Sequence, residues 1–236
     1  MKKYQNPFRT LTRFEWGLWL SSLVLLTVLY FMLKDRNPMT LAASLVGVTG
    51  LVFVAKGDPV GQIFIVFFSL FYAVVSLEFR YYGEMITYVG MSAPAAVLAT
   101  IEWFKNPAEK GKNEVRVARL SKKKWLVLIP STVVVTVAFY FILKFFGTAN
   151  LLVSTLSVAT SFFAAMLTYL RSPFYGLGYA ANDIVLIIMW IMASVVDISY
   201  FPMVLCFVVF LVNDCYGFFN WRRIERRQRE RGLAEE

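Results

Sequence analysis

RSPFYGLGYAANDIVLIIMWIMASVVDISYFPMVLCFVVFLVNDCYGFFNW, residues 171–221, contains two long apolar runs, each with an Asn-Asp pair inside it. The pairs are Asn182-Asp183 and Asn213-Asp214. Each run is long enough for a helix to cross the hydrocarbon core, which takes about 17–25 residues. Amides and carboxyls at that depth are costly, so they line a cavity or pair with one another rather than face lipid.

Apolar runs of similar length recur along the rest of the chain. Of its 236 residues, 58% are hydrophobic, and the mean hydropathy is +0.61. A soluble domain of this size cannot cover so much apolar surface. The expected fold is an all-α polytopic membrane protein forming one integral domain, 1–236. Eight spans are expected, at 14–33, 40–56, 60–79, 83–104, 125–146, 150–170, 174–197 and 200–221. Residues 105–124 form the sizeable charged loop, and 222–236 a charged tail that extends the last helix. A cleaved signal peptide is the other reading of the first run. Lys34-Asp35-Arg36 stands where a small-x-small cleavage site belongs, which argues against it.

The net charge of +9 would suggest nucleic acid in a soluble protein. Here the basic residues sit in loops and tails, where they orient the spans. With both termini inside, twenty of the 24 Lys and Arg lie on the cytoplasmic side. They are Lys2, Lys3, Arg9, Arg13, Lys56, Arg171, the eight of the long loop and the six arginines of the tail. Lys34, Arg36, Arg80 and Lys144 lie outside. The expectation is a multi-pass protein of the cell membrane, in contact with lipid, with cytoplasmic N- and C-termini and no nucleic-acid partner.

Histidine is absent, so His-based metal sites and His general bases are excluded. Cys206 and Cys215 are nine apart on one helix, point to opposite sides and cannot bridge each other. Neither HExxH nor GxSxG occurs. The reading is of a non-enzyme that needs no metal or cofactor.

An internal repeat is suggested. Ala43, Gly47 and Gly50 on span two match Ser157, Ser161 and Ala164 on span six at an offset of 114. Pro59 and Pro173 keep that offset, while the basic residues Lys56 and Arg171 miss it by one. Small residues on one stripe let helices approach closely in lipid. Four spans separate the copies, an even number, so the repeats run parallel. The expected plan is an extra first span, a three-helix bundle (40–104), a linker helix (125–146) and a second bundle (150–221). In parallel-repeat carriers of the SWEET type the substrate lies at the repeat interface.

At 3.6 residues per turn, Tyr175, Tyr179, Asn182, Leu186 and Trp190 share a face, with Asp183 at its edge and Asp197 at its far end. On the last span Phe210, Asn213, Gly217 and Trp221 share a face, with Asp214 beside them. Rings interleaved with amides suit a planar polar ring, and carboxyls suit a cation, which aromatic faces also attract. The alternative is structural. Tyr175, Trp16, Trp19, Trp103, Trp125 and Trp221 near span ends read as interface anchors. Asn182 and Asn213 read as interhelical glue, and Asp183 as either cavity-lining or structurally paired. The first bundle is poorer, with Tyr72 and Ser76 on one face and Tyr88, Ser92 and Ala95 on another, so the expected cavity is dominated by the second bundle. Glu78, Arg80, Glu84 and Glu102 are read as solvated or snorkelling near span ends.

The segments AASLVGVTGLVFVAKG and YAVVSLEFRYYGEMITY, the helix RSPFYGLGYAANDIVLIIMW and the run FLVNDCYGFFNW together resemble the PnuC family of nicotinamide riboside transporters, over about residues 40–222. The resemblance implies a SWEET-like fold, often trimeric, and facilitated diffusion of a vitamin-like nucleoside without ATP or an ion gradient. Cytoplasmic phosphorylation would trap the cargo and feed NAD synthesis. Family members commonly carry a tryptophan pair and then an asparagine in the helix corresponding to span seven. Here Tyr175 stands at the first Trp position, Gly178 at the second with Tyr179 beside it, and Asn182 at the asparagine. Asn213 matches the amide of the last helix, whereas Phe68, Tyr88 and Ala96 stand where an amide is expected.

The expected substrate-binding set is therefore Tyr175, Tyr179, Asn182, Asp183, Trp190, Asn213 and Asp214. In this reading the aromatic residues pack against the pyridinium ring, the amides bond the carboxamide or ribose, and Asp183 complements the charge. The alternatives are another vitamin or nucleoside (thiamine, riboflavin), proton-coupled uptake through Asp183 or Asp214, and a non-transporting partner subunit.

Overall fold

The computed structural model describes residues 5–32, 37–78, 81–109, 111–148 and 150–233. Lys2, Lys3, Lys34, Arg36, Arg80 and Lys110 of the charge count, and the expected end of the first span at Leu33, lie outside them. The described residues form eight helices of membrane-crossing length and composition. They are α1 (Arg13–Met32), α2 (Pro38–Ala55), α3 (Val60–Glu78), α4 (Tyr82–Lys105), α5 (Lys122–Phe145), α6 (Leu151–Tyr169), α7 (Tyr175–Val196) and α8 (Phe201–Glu230). All eight expected spans are present, and the charged tail continues α8 without a break.

Local chemistry sets the boundaries. Asn37 caps α2, its Oδ1 accepting from Met39 N at 2.8 Å, with Pro38 at the first helical position. Inside α4, Pro94 has no N–H, and its ring would press on the Gly90 carbonyl four residues back. The helix widens there into a π turn over Tyr88–Ser92, closed by Ala93 N donating to Tyr88 O.

Within each bundle the first helix lies on the second, α2 on α3 and α6 on α7. Each first helix also lies on the third helix of the other bundle, α2 on α8 and α6 on α4. Glycine makes the closest approaches: a Cβ on Gly61 of α3 would strike Val54 N of α2, and one on Gly178 of α7 would sit 3.0 Å from Cα of Ala164 on α6. α5 packs on α6, fully burying Leu128 and Leu143 and half-burying Trp125, Val135 and Phe139, while side chains such as Leu126, Val133, Val137 and Phe141 face outward.

The α2–α3 and α6–α7 turns are built bond for bond alike, each bond displaced by 114 residues. Gly57 N donates to Val54 O (2.9 Å) and Arg171 N to Thr168 O (3.0 Å). Asp58 N donates to Phe53 O and Ser172 N to Leu167 O, both at 2.9 Å. Asp58 Oδ1 accepts from Val60 N at 3.0 Å, and Ser172 Oγ from Phe174 N at 3.4 Å. The left-handed residue of each turn is Gly57 (φ 73°) or Arg171 (φ 57°). This explains why the basic residues miss the repeat by one. The shared feature is the left-handed position, and Lys56 stands at the position of Leu170.

Two tryptophans cross between the bundles. Trp221 Nε1 donates to Val54 O at 2.8 Å, and Trp103 Nε1 to Thr168 O at 2.9 Å. The acceptors are equivalent at offset 114, the donors at 118, and the rings meet at 5.2 Å. Both indoles are fully buried, as is Tyr175, so for these three the interface-anchor reading is wrong.

The 105–124 loop is also not a free charged segment. Val115, Val117 and Ala118 are buried. Val115 N donates to Gly57 O (2.8 Å) and Ala118 N to Arg171 O (3.0 Å), so the loop straps together the same carbonyl of both matched turns. Gln228 at the end of α8 locks it, accepting from Val117 N and donating to Val115 O. Arg119 pairs with Glu225, and Arg227 with Glu114.

If the crossed indoles carry equal weight, Trp103→Phe and Trp221→Phe each leave one buried carbonyl a bond short, at a cost of about 1–3 kcal/mol. Thermal unfolding in detergent is expected to show Tm drops of similar size for the two variants. A drop confined to one of them would show that the matched bonds are not matched in strength.

Candidate functional site

A closed cavity lies where the two bundles meet. Leu51, Gln62, Ile65, Phe68, Ser69, Tyr88 and Ser92 face it from α2–α4. Ser161, Tyr179, Asn182, Asp183, Phe207, Phe210 and Asp214 face it from α6–α8. Three pairs of these residues are equivalent at offset 114: Ile65 with Tyr179, Phe68 with Asn182, and Ser69 with Asp183. Ser92 and Phe210 keep the tryptophans' offset of 118. The chamber therefore sits between matched surfaces whose chemistry differs. The first bundle presents two apolar side chains and a serine where the second presents a phenol, an amide and a carboxyl.

Asn182 is the most fully defined polar group. Its Oδ1 accepts from Thr160 Oγ1 at 2.8 Å and Ser161 Oγ at 2.9 Å. The Thr160 hydroxyl shares its one proton with Leu156 O and Ser157 O, so Ser161 is the dedicated donor to this oxygen, and in this orientation the NH2 is the group offered to the chamber. This arrangement suits a ligand carbonyl. Asp183 on α7 and Asp214 on α8 come together side chain to side chain, both buried. Asp183 Oδ2 has no hydrogen-bond partner. Two carboxyls in contact away from water repel unless a proton or a cation lies between them.

The rest of the lining is aromatic. Phe68 lies 5.1 Å from Phe210, and Phe207 lies 5.6 Å from Phe210. Gly47 makes room for this cluster, since a Cβ there would strike the Phe210 ring.

Of the seven residues expected from the sequence, Tyr179, Asn182, Asp183 and Asp214 face the chamber and the other three do not. Tyr175 lies beyond one end, its ring 4.8 Å from Trp221. Trp190 lies beyond the other, where its Nε1 donates to Tyr72 Oη at 2.9 Å. Asn213 turns to α1, donating to Ser22 Oγ at 3.4 Å and to Val209 O at 2.8 Å. A single helical face carried Tyr175 through Trp190, but it spans four turns and the chamber covers only the middle of it. Asp197, at the far end, caps the turn before α8 by accepting from Ser199 N.

Sequence reasoning missed Gln62, which is buried in the first turn of α3 and supplies an amide from the first bundle. It follows Pro59 by three residues, close to the expected span boundary, and that position hid it. Glu84 was also misread. It is fully buried rather than solvated, because the turn before α4 folds inward through Tyr81 N donating to Ser76 O. Glu102 pairs with Arg171 at 3.6 Å.

Eight membrane-crossing helices around a closed, polar–aromatic chamber define a membrane transporter for a small molecule. A family model described as "Nicotinamide mononucleotide transporter" matches residues 37–223, and the chain belongs to that family. It is 28% identical over 220 residues to the nicotinamide riboside transporter PnuC of Neisseria mucosa, covering 92% of this chain and 83% of that one. It is 23% identical over 210 residues to the protein of the same name from Haemophilus influenzae, covering 89% and 90%. A solved structure titled "Crystal structure of the Vitamin B3 transporter PnuC" superposes with a TM-score of 0.78 at 26% identity, over 92% of this chain and 94% of that one.

Relieving the carboxyl pair is expected to stabilise the empty protein. Asp214→Asn removes one of two buried carboxyls in contact and supplies an amide donor for the unpartnered Asp183 Oδ2, and Tm in detergent without ligand should rise, by the equivalent of about 1–3 kcal/mol. A fall would mean that the carboxyls hold the fold together.

Proposed function

We propose that the chain imports nicotinamide riboside by facilitated diffusion. One observation carries the reading: a closed chamber at the bundle interface offers an oriented amide donor, a phenol and phenylalanine rings, and a buried pair of carboxyls. Nicotinamide riboside has a carboxamide oxygen for Asn182, a flat ring for Tyr179, Phe68 and Phe210, and a pyridinium charge for Asp183 and Asp214. The two relatives named as nicotinamide riboside transporters support this cargo. In this reading Tyr175 and Trp190 close the chamber's ends rather than touch the ring, and Asn213 holds α1 to the bundle. Phosphorylation in the cytoplasm traps the cargo and feeds NAD synthesis.

The wider arrangement follows the same reading. The functional core is α2–α4 plus α6–α8, with α5 as linker and α1 as an addition. The protein sits in the plasma membrane with both termini and the strap on the cytoplasmic side, where most basic residues gather. The outward apolar face of α5 suits a homotrimer contact.

Asn182→Leu should abolish uptake of labelled nicotinamide riboside into proteoliposomes while expression and monodispersity stay normal; undiminished uptake would remove Asn182 from the site. Thr160→Val with Ser161→Ala frees the amide to flip, and calorimetry should show a Kd weakened about tenfold, the equivalent of one net hydrogen bond. The same calorimetry against thiamine and riboflavin tests the cargo, since saturable binding of either in place of nicotinamide riboside would reassign it.

For topology, a Cys206→Ala, Cys215→Ala background with Lys112→Cys should react with an impermeant maleimide only from the cytoplasmic side. Lys144→Cys should react only from outside. The reverse pattern would overturn the orientation.

A further inference from the structure

Glu84 is fully buried, and neither of its carboxyl oxygens makes a hydrogen bond. It sits in the first turn of α4, one turn from Tyr88, which faces the chamber. It therefore lies beyond the chamber at the end of the bundle away from the strap. Tyr72, Tyr81 and Tyr88 are all close enough to interact electrostatically with it. The Ser157 hydroxyl of α6 lies beside it, near enough to interact but outside hydrogen-bond geometry. Among the described residues no Lys or Arg forms an ion pair with it.

These three tyrosines belong to two connected groups of rings. Tyr72 and Tyr88 are 4.3 Å apart. Trp190 packs on Tyr81 at 4.8 Å and on Tyr200 at 5.9 Å, and Tyr81 on Tyr200 at 6.1 Å. The Trp190–Tyr72 hydrogen bond joins the two groups. A ring's face attracts cations, and an unpaired carboxyl at membrane depth needs one to be charged. The combination of several electron-rich faces with one unpartnered carboxyl is suited to a soft organic cation. It does not suit an inorganic ion, which takes a shell of oxygens that these rings do not supply.

We propose that Glu84, with Tyr72, Tyr81, Trp190 and Tyr200, is a second, transient subsite for the substrate's positive charge, through which the pyridinium passes between the strap-free end and the chamber. The inference rests on the proposed carriage of nicotinamide riboside. Glu84 selects for charge, while Asn182 and Asp183 in the chamber read the carboxamide and settle the ring. Tyr88, which interacts with both Glu84 and Asp183, links the subsite to the chamber carboxyls along one route. Trp190, which misses the chamber, has its role here.

The test compares two substrates of nearly the same shape in proteoliposomes. Nicotinamide riboside carries the ring charge, and its dihydropyridine form is neutral. Glu84→Gln should lower uptake of the cation at least tenfold and leave uptake of the neutral form within twofold of wild type. A parallel fall in both, or no change in either, overturns the subsite.

A measurement on the unaltered protein keeps the inference testable if Glu84→Gln does not fold. 1-Methylnicotinamide, a ribose-free cation methylated on the ring nitrogen, should inhibit uptake of the neutral dihydro substrate, and neutral nicotinamide at the same concentration should not. Equal inhibition by both, or by neither, overturns it. Failure of the wild-type protein to carry nicotinamide riboside at all would instead overturn the proposed function. Normal carriage with charge selectivity unmoved by Glu84→Gln would overturn only the subsite.

Discussion

A helix end buried inside a protein leaves carbonyl groups without intrahelical partners and without water to satisfy them. In this protein the ends of α2 and α6 meet that constraint in the same way. Val54 O and Thr168 O each accept one bond from the backbone of their own turn and one from an indole of the opposite bundle. Because the donors cross over, neither bundle can complete its helix ends alone. The two indoles pack against each other at a tilt where they cross, and the strap then finds two equivalent carbonyls to bond. The position of the chamber follows from this crossing, since it lies between the surfaces that the crossed helices bring face to face.

The matched frame is used for unmatched chemistry. At equivalent positions Phe68 faces Asn182, Ile65 faces Tyr179 and Ser69 faces Asp183. A symmetric lining would suit a symmetric ligand. A nucleoside with a charged ring at one end and a sugar at the other needs one wall that mainly supplies shape and another that supplies hydrogen bonds and charge. The matched turns set a similar backbone for both walls, and different side chains at a few equivalent positions divide the work. Gln62 is the main polar exception on the first wall, and it sits at the turn rather than deep in the helix.

The fold was largely legible in the sequence, because span length and charge placement act locally on each helix. The offset of 114 was readable from Gly50 and Ala164, which meet Phe64 and Gly178 at equivalent helix contacts, and from the prolines, which stand in the matched turns. Half of the site was legible: Asn182, Asp183 and Tyr179 stand near the middle of α7, where helical periodicity and depth agree. Tyr175, Trp190 and Asn213 were grouped with them because periodicity gives a face but not a height, and for Asn213 not the neighbour it turns to. Glu84 was unreadable for the same reason: its distance from a span end suggested solvent, and only the inward fold of Tyr81 buries it. The strap carried a signal that went unused. In EVRVARL, Val115 and Val117 alternate with Glu114 and Arg116 as one half-buried extended segment would.

The two ends of the chamber are closed by different forces, and this bears on how a carrier opens. At the strap end the bundles are joined through backbone hydrogen bonds, Val115 to Gly57 and Ala118 to Arg171, and through the Gln228 lock. These bonds are directional and lose most of their strength over a small displacement. At the other end closure rests on ring packing around Trp190, where contacts slide and re-form at little cost over the same distance. A rocking motion of one bundle against the other therefore meets unequal resistance at the two ends. The strap-free end can open by rearranging rings. The strap end opens only if the strap moves with one bundle and gives up its bond to the other, and the two bonds are so alike that the strap's choice of bundle is set by α8, through Gln228, Glu225 and Arg227. The charged tail that looks like a solvated end of the sequence is thus the part of the molecule that decides which half the strap belongs to.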